Sequence, residues 1–159
     1  MKVLWAPWRM KYIESKSESC IFCDAINASD DKASLLLHRG KRAIIIMNKF
    51  PYANGHLMVA PNRHIKEIKE LNKDEWQEVF DLLVLSTDLL SKEFHPQGFN
   101  IGANIGFVAG AGYEHLHFHI VPRWNGDTNY MPVLAETKVI PQHLERTYSL
   151  LKKGLGKFA

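Results

Sequence analysis

The sequence predicts a single α+β domain built on an antiparallel sheet. Three observations support this: two strand-like segments lie too close together for a parallel crossover, a long helical pattern follows them, and further strand-like segments come after the helix. A strictly alternating parallel fold fits this order poorly. The length of 159 residues suffices for one domain with a core and would be cramped for two.

The segments before the helix are short. Residues 1–19 are aromatic and broken by proline, and we expect them to pack over the domain as a strap, with an exposed partner-binding patch as the alternative. Residues 22–28 suit a short helix. The β-branched segment KRAIIIMN, residues 41–48, predicts a strand; the turn KFPYANG follows, and HLMVAP predicts a second strand that ends at Pro61.

The long helix is predicted over residues 73–95. Asn72 and Glu75, three positions apart, make a capping box at its start, and Pro96 and Gly98 end it. Five apolar residues near helical spacing are expected to face the core: Trp76, Val79, Phe80, Leu83 and Leu90.

Two more strands and a terminal helix are predicted after the long helix. FNIGANIG, residues 99–106, reads as a strand, a glycine-rich turn follows, and EHLHFHIVP, residues 114–122, reads as the next strand. Residues 141–153 predict a helix within a C-terminal extension that spans residues 126–159. The expected domain covers residues 1–159, with a sheet of about five strands.

Composition and charge argue against several classes of protein. With 46% apolar residues, four Trp and eight Phe, the chain is globular. No apolar run reaches ~18 residues, and the first 15 residues lack the apolar region of a signal peptide, so we expect no membrane partner and a cytoplasmic location. The 20 basic and 17 acidic residues are dispersed, which argues against binding to a nucleic acid polymer and leaves a small anionic ligand open.

Cys20 and Cys23 are the only cysteines and form a Cys-x-x-Cys motif. Such a motif can form a redox disulfide or supply half of a zinc site. The choice depends on finding two further ligands.

Three histidines, His115, His117 and His119, alternate with apolar residues. On a strand they would share one face, and the apolar residues would face the core. A polar strand face is one interpretation, and a single metal held by all three is another, although three ligands along one strand are geometrically awkward. The third is nucleotidyl transfer, in which a neutral imidazole attacks phosphorus and a second histidine acts on the leaving oxygen.

The loop before the histidines suits the third interpretation. Gly110, Ala111 and Gly112 are small enough for the backbone to approach a phosphate closely.

The motif His-φ-His-φ-His-φ-φ, in which φ is apolar, stands at residues 115–121 and resembles the mark of the histidine triad (HIT) superfamily of nucleotide hydrolases and transferases. Asn48, followed eight residues later by His56 at the start of a strand, is similar to the ribose-binding Asn and supporting histidine of this family. The resemblance covers about residues 20–125 and implies a HIT-like fold.

The resemblance implies a different role for each site residue. His117 would be the nucleophile that forms a nucleotidyl-imidazole intermediate, and His119 would contact the phosphate and assist the leaving group. His56 would support the triad. Asn104, with Asn100 as a second candidate, would touch the substrate.

The resemblance also implies a zinc site and no organic cofactor. Family members with an early Cys-x-x-Cys motif combine it with two histidines, which here correspond to His64 and His115, beside Cys20 and Cys23. A Cys2His2 set leaves no open coordination position, so this zinc would be structural.

Two stretches, LWAPWR and PRWNGDTNYMP, resemble the branch that contains diadenosine tetraphosphate phosphorylases and related hydrolases. This implies a homodimer acting on dinucleoside polyphosphates, with Trp124 either shaping the nucleotide pocket or packing in the core. Gly112 lies where those phosphorylases tend to carry Ser, so phosphate and water both stay open as the acceptor. The alternatives are a phosphoramidase acting on adenylates and a non-catalytic nucleotide-binding protein.

Overall fold

The computed structural model describes residues 19–127 and 142–157. Apart from Ser19, the predicted strap lies outside the described residues. Residues 128–141 and 158–159 of the predicted C-terminal extension lie outside them as well.

The fold is α+β, and its five strands form one antiparallel sheet in the order β1-β2-β3-β5-β4. This confirms the predicted fold class. In chain order the elements are α1 (Ile21–Asn27), β1 (Leu36–Arg39), β2 (Ala43–Met47), β3 (Leu57–Pro61), α2 (Lys73–Phe94), β4 (Gly98–Gly102), β5 (Phe118–Arg123) and α3 (Leu144–Leu155), with 3-10 turns at Ile68–Glu70 and Phe107–Ala109.

Helices cover both faces of the sheet. The long helix α2 packs on β2, β3 and β5, and α3 packs on β1 and on α2, which together bury the main core. On the other face, Phe22 and Ala25 of α1 pack against a second apolar cluster that includes Ile44 and Met58. Because both of their faces are covered, β2 and β3 are buried along their whole length, which explains their continuous apolar sequences.

The predicted capping box of α2 is present. The Asn72 side chain accepts a hydrogen bond from the Glu75 N–H at 2.9 Å, and the Glu75 carboxylate accepts one from the Asn72 N–H at 3.0 Å. Helix α2 ends at Phe94, and His95 follows it with a left-handed backbone.

The predicted apolar stripe of α2 is only partly correct. Val79, Leu83 and Leu90 are buried, but Trp76 and Phe80 are 44% and 53% exposed. Helix α2 carries an apolar arc wider than the sheet can cover, so these two side chains lie on its outer edge.

The strand predicted over residues 99–106 is shorter in the structure, where β4 spans Gly98–Gly102, and two further corrections concern β5 and β1. The strand predicted over residues 114–122 begins only at Phe118, because residues 114–117 leave the ladder and the Leu116 N–H donates to the Ile65 carbonyl instead, at 2.7 Å. Strand β1 is not predicted at all. Within the described residues, none of the helices combines the length and apolarity that crossing a bilayer requires.

Candidate active site

The three histidines keep the predicted alternation although only His119 belongs to β5. Leu116, Phe118 and Ile120 lie in the main core, while the histidines lie on the opposite side, with His115 and His117 buried and His119 half-buried. The centroids of the His117 and His119 rings are 4.8 Å apart. The alternation therefore places the side chains of His115, His117 and His119 together on one side of the segment, where they form the histidine wall.

One hydrogen bond fixes the chemical form of His117. Its Nδ1 lies 2.7 Å from the carbonyl oxygen of His115, which can only accept, so Nδ1 carries the hydrogen and Nε2 keeps its lone pair. Burial lowers the pKa of His117, which keeps the ring neutral at pH 7. The Phe22 ring packs against it, with a centroid distance of 4.7 Å. A neutral imidazole with an available Nε2 is suited to nucleophilic attack.

His56 supports His119 from the position just before β3. β3 and β5 pair so that Met58 lies opposite His119, and this register brings His56 Nε2 within 3.0 Å of His119 Nδ1. Gly55, just before, has a positive φ of 75°, and a Cβ there would lie 2.9 Å from the Leu90 side chain. The tight turn at glycine therefore determines where His56 enters the site.

Asn48 approaches the same histidine, since its Nδ2 lies 3.4 Å from His56 Nδ1, while its Oδ1 accepts a hydrogen bond from the Phe50 N–H. Sequence reasoning missed Tyr52. Its backbone N–H donates to His56 Nδ1 at 3.1 Å, and its ring centroid lies 4.7 Å from that of His56. The only sequence signal was its position in the turn before His56.

The four predicted metal ligands come together. One ligand atom from each of Cys20, Cys23, His64 and His115 lies within 4.8 Å of all the others. His115 Nε2 lies 2.8 Å from the Pro61 carbonyl oxygen, which makes Nε2 the donor and leaves the Nδ1 lone pair directed at the sulfurs, 3.4 Å from that of Cys20. These donors fit a tetrahedral metal ion.

The protonation state of His115 suits a metal ligand, whereas that of Cys23 without a cation does not. Burial lowers the pKa of His115 to about 4, so its ring is neutral, as a metal ligand requires. Burial, with the neighbouring Cys20 thiol adding to it, raises the pKa of Cys23 to about 11. A bound cation would reverse this and favour the thiolates.

The small-residue loop directly precedes the histidines. Gly110 has a left-handed backbone with φ of 91°, Ala111 is buried and Gly112 is half-buried. Asn104 is half-buried in the segment between β4 and the 3-10 turn. Asn100 accepts a hydrogen bond from Arg123 at 2.9 Å, which gives it a structural contact.

Trp124 lies five residues beyond His119, at the end of β5. Its Nε1–H donates to the Phe94 carbonyl at the end of α2, at 3.3 Å. This contact joins Trp124 to the end of α2, and its substrate-binding role stays a prediction.

An open groove of about 1290 Å³ begins near Asn48, at Lys49 and Pro51, and its lining does not include His56, His117 or His119. Sequence reasoning did not anticipate it, because its lining comes from separate elements. It includes Ile21 and Ala25 of α1, Ile46 of β2, Lys49 next to Asn48, and the first turn of α3.

Comparison with known proteins agrees with this geometry. The profile of the HIT domain matches residues 30–126. An AP-4-A phosphorylase of Mycobacterium tuberculosis is 37% identical over 159 residues, covering 93% of this chain and 81% of that protein. The asymmetrical bis(5'-nucleosyl)-tetraphosphatase of Schizosaccharomyces pombe is 31% identical over 126 residues, covering 79% of this chain and 62% of that protein.

Solved structures share the fold. A zinc-bound histidine triad family protein from Mycobacterium smegmatis superimposes with a TM-score of 0.69 at 23% identity, covering 90% of this chain and 97% of the other. A histidine triad nucleotide-binding protein from Sulfolobus tokodaii gives a TM-score of 0.70 at 23% identity, with 87% and 93% covered. From the sequence match, the histidine wall and the shared fold, the chain belongs to the HIT domain family.

Proposed function

We propose that the protein cleaves dinucleoside polyphosphates such as diadenosine tetraphosphate through a covalent nucleotidyl–histidine intermediate on His117. The observation that carries the proposal is the hydrogen bond from His117 Nδ1 to the His115 carbonyl, which presents Nε2 as a neutral nucleophile. The relatives named for this chemistry, a phosphorylase and a tetraphosphatase, support the substrate class.

The proposed reaction has two steps. Nε2 of His117 forms a bond to the α-phosphorus, the bond from phosphorus to the bridging oxygen breaks, and its electron pair leaves with ATP. The ring then carries AMP and a positive charge, which the His115 carbonyl stabilises through the retained Nδ1–H. An oxygen of water or phosphate next attacks phosphorus, the electron pair of the N–P bond returns to His117, and an attacking water gives up a proton to the solvent.

The remaining residues would bind and orient the substrate. Asn48 would bind the ribose, and His119, supported by His56, would contact the phosphate and leaving group. The backbone of residues 110–112 would approach the phosphates. The groove beside Lys49 has the room and the apolar walls to receive a nucleoside.

The test is incubation of the purified protein with diadenosine tetraphosphate, with and without phosphate. ATP plus AMP would identify water as the acceptor, and ATP plus ADP would identify phosphate. We expect His117→Ala to abolish turnover, whereas His38→Ala, which changes a histidine on β1, should leave it unchanged. Wild-type activity in His117→Ala would refute the mechanism, and saturable nucleotide binding without turnover by the wild type would favour a binding protein.

Cys20, Cys23, His64 and His115 would hold a structural zinc ion. Bound there, zinc would supply cross-linking of the N-terminal segment to the segment that carries the nucleophile, rather than chemistry on the substrate. The distances among their ligand atoms and the directed Nδ1 of His115 support this assignment.

The protein is also proposed to form a homodimer through the outer face of α2 and the adjacent edge of the sheet. Trp76, Phe80 and Val84 expose apolar surface on α2, and β4, with the exposed Ile101, is an edge strand of the sheet. A second copy would cover both the apolar side chains and the open strand edge.

A further inference from the structure

Hydrogen bonds from the segment between β2 and β3 determine which ring nitrogen of His56 carries the hydrogen. The backbone N–H of Tyr52 donates to His56 Nδ1 at 3.1 Å, and a backbone amide can only donate. The Asn48 amide nitrogen approaches the same atom at 3.4 Å, and its orientation is set because its oxygen accepts from the Phe50 N–H. His56 Nδ1 is therefore an acceptor, and the hydrogen of the neutral ring lies on Nε2.

The position of the hydrogen on His56 determines the position of the hydrogen on His119. His56 Nε2 lies 3.0 Å from His119 Nδ1, so the Nε2–H donates and His119 Nδ1 must accept. A hydrogen on His119 Nδ1 would place two hydrogens between the same pair of nitrogens. The neutral ring of His119 thus carries its hydrogen on Nε2, and an imidazolium form would place the same two hydrogens in this one contact.

We propose that His119 serves the reaction as a neutral hydrogen-bond donor and keeps its proton, because Tyr52 and His56 hold its Nδ1 as an acceptor. This inference rests on the proposed function. In the first step the His119 Nε2–H is shared with the departing oxygen or a phosphate oxygen, while the electron pair of the broken P–O bond stays on the leaving group. Tyr52 and His56 are positioning residues, and His119 is the catalytic one.

The inference narrows the substrate class. A neutral imidazole is too weak an acid to hand over its remaining N–H, so the leaving group must depart as a stable anion. A nucleoside polyphosphate does so, whereas an amine must take a proton to leave. The site therefore favours polyphosphates over phosphoramidates.

Nitrogen-15 NMR of the histidine-labelled protein tests the first part without any substrate. We expect His119 at pH 7.5 to show a protonated Nε2 and an unprotonated Nδ1. His56→Met, whose side chain cannot donate, should release this preference and give a mixture of His119 tautomers. A wild-type His119 with a protonated Nδ1, whether as the other tautomer or as imidazolium, would overturn the proposal.

His119→Gln and His119→Leu test the second part, since Gln can donate a hydrogen bond but no proton. With the 4-nitrophenyl and phenyl esters of AMP as substrates, His119→Leu should lose roughly 10²–10³-fold in kcat on both esters. His119→Gln should retain far more, with the same ratio to wild type on both. A loss in His119→Gln confined to the phenyl ester, which has the poorer leaving group, would show proton donation and refute the proposal.

Failure of the proposed function would look different. The wild type would then turn over none of these nucleotides, while the NMR measurement would still decide the tautomer of His119.

Discussion

The His115 carbonyl oxygen accepts a hydrogen bond from the His117 ring at 2.7 Å, while the His115 ring itself lies among the cysteines. One residue therefore joins the candidate metal-ligand cluster through its side chain and contacts the proposed nucleophile through its backbone. The Phe22 ring, 5.1 Å from His115 and 4.7 Å from His117 between centroids, packs against both. Displacing the cluster should displace the nucleophile.

Cys20→Ser should lower bound zinc below stoichiometric amounts, lower the unfolding midpoint and reduce kcat. The reason is that one of the four ligand atoms is replaced by a poor zinc ligand, and His115 loses its anchor. Metal analysis and thermal unfolding measure the effect, with His38→Gln as the control. Full zinc content in Cys20→Ser would contradict the assigned ligand set.

The Arg63–Glu75 ion pair should make the free energy of unfolding depend on pH in the acidic range. Hydrogen bonds from the Arg63 guanidinium, with one from the Asn72 N–H, lower the pKa of the buried Glu75 from its ordinary 4.5 to about 2. The folded-state pKa lies below the unfolded one, so the stabilisation is fully present above pH 4.5 and is lost as pH falls towards 2.

Glu75→Gln should therefore lower the free energy of unfolding at pH 7 by up to about 3 kcal/mol, less to the extent that water screens the exposed Arg63. Urea unfolding at pH 7 and pH 3 measures this, and the difference from wild type should shrink at pH 3. Asp88→Asn, at an exposed position of the same helix, is the matched control. An equal difference at both pH values would exclude the ion pair as its cause.

Phe80→Glu should convert a wild-type dimer into monomers. Phe80 is 53% exposed beside Trp76 and Val84, and burying an unpaired carboxylate against a second copy would be unfavourable. Light scattering coupled to gel filtration gives the mass, and Asp81→Asn, at the next position, is the control. A wild type that is monomeric at micromolar concentration would refute the dimer.

Gly55→Ala should destabilise the protein by roughly 1–3 kcal/mol and reduce activity. The backbone there is left-handed, and the added Cβ would press on Leu90 and shift the adjacent His56. Gly98→Ala is the control, because among the described residues, its two chain neighbours aside, none has an atom within 4 Å of the added Cβ. Unchanged stability and kcat in Gly55→Ala would show that the turn does not position His56.

Local patterns were sufficient to predict β2, β3 and α2. The apolar runs of the strands and the capping box at Asn72 and Glu75 are set by neighbouring residues, so the sequence alone reveals them. Strand β1 was not predicted for two reasons. Leu35, just before it, has a positive φ of 57°, and a bulge interrupts the pairing after Leu36. Neither feature leaves a periodic pattern.

The sequence named the histidines that the structure brings together, and it did not reveal the hydrogen bonds between them. The motif and the resemblance named His56, His117 and His119, but the bond between His56 and His119 joins residues 63 positions apart and depends on strand register. Tyr52 acts through its backbone, so its side-chain type gave no signal. The exposure of Trp76 and Phe80 depends on how much of α2 the sheet covers, which periodicity does not measure.

The late start of β5 determines which nitrogen of His117, the proposed nucleophile, keeps its lone pair. Within a sheet, hydrogen bonds to neighbouring strands occupy the backbone carbonyl groups. Strand β5 pairs with its neighbours only from Phe118 onwards. The His115 carbonyl therefore stays available for the ring two residues later. Extending the ladder back to residue 115 would give that carbonyl to another strand, and His117 would lose the contact that holds its hydrogen on Nδ1. The point at which pairing between strands begins thus determines which ring nitrogen of His117 carries the hydrogen.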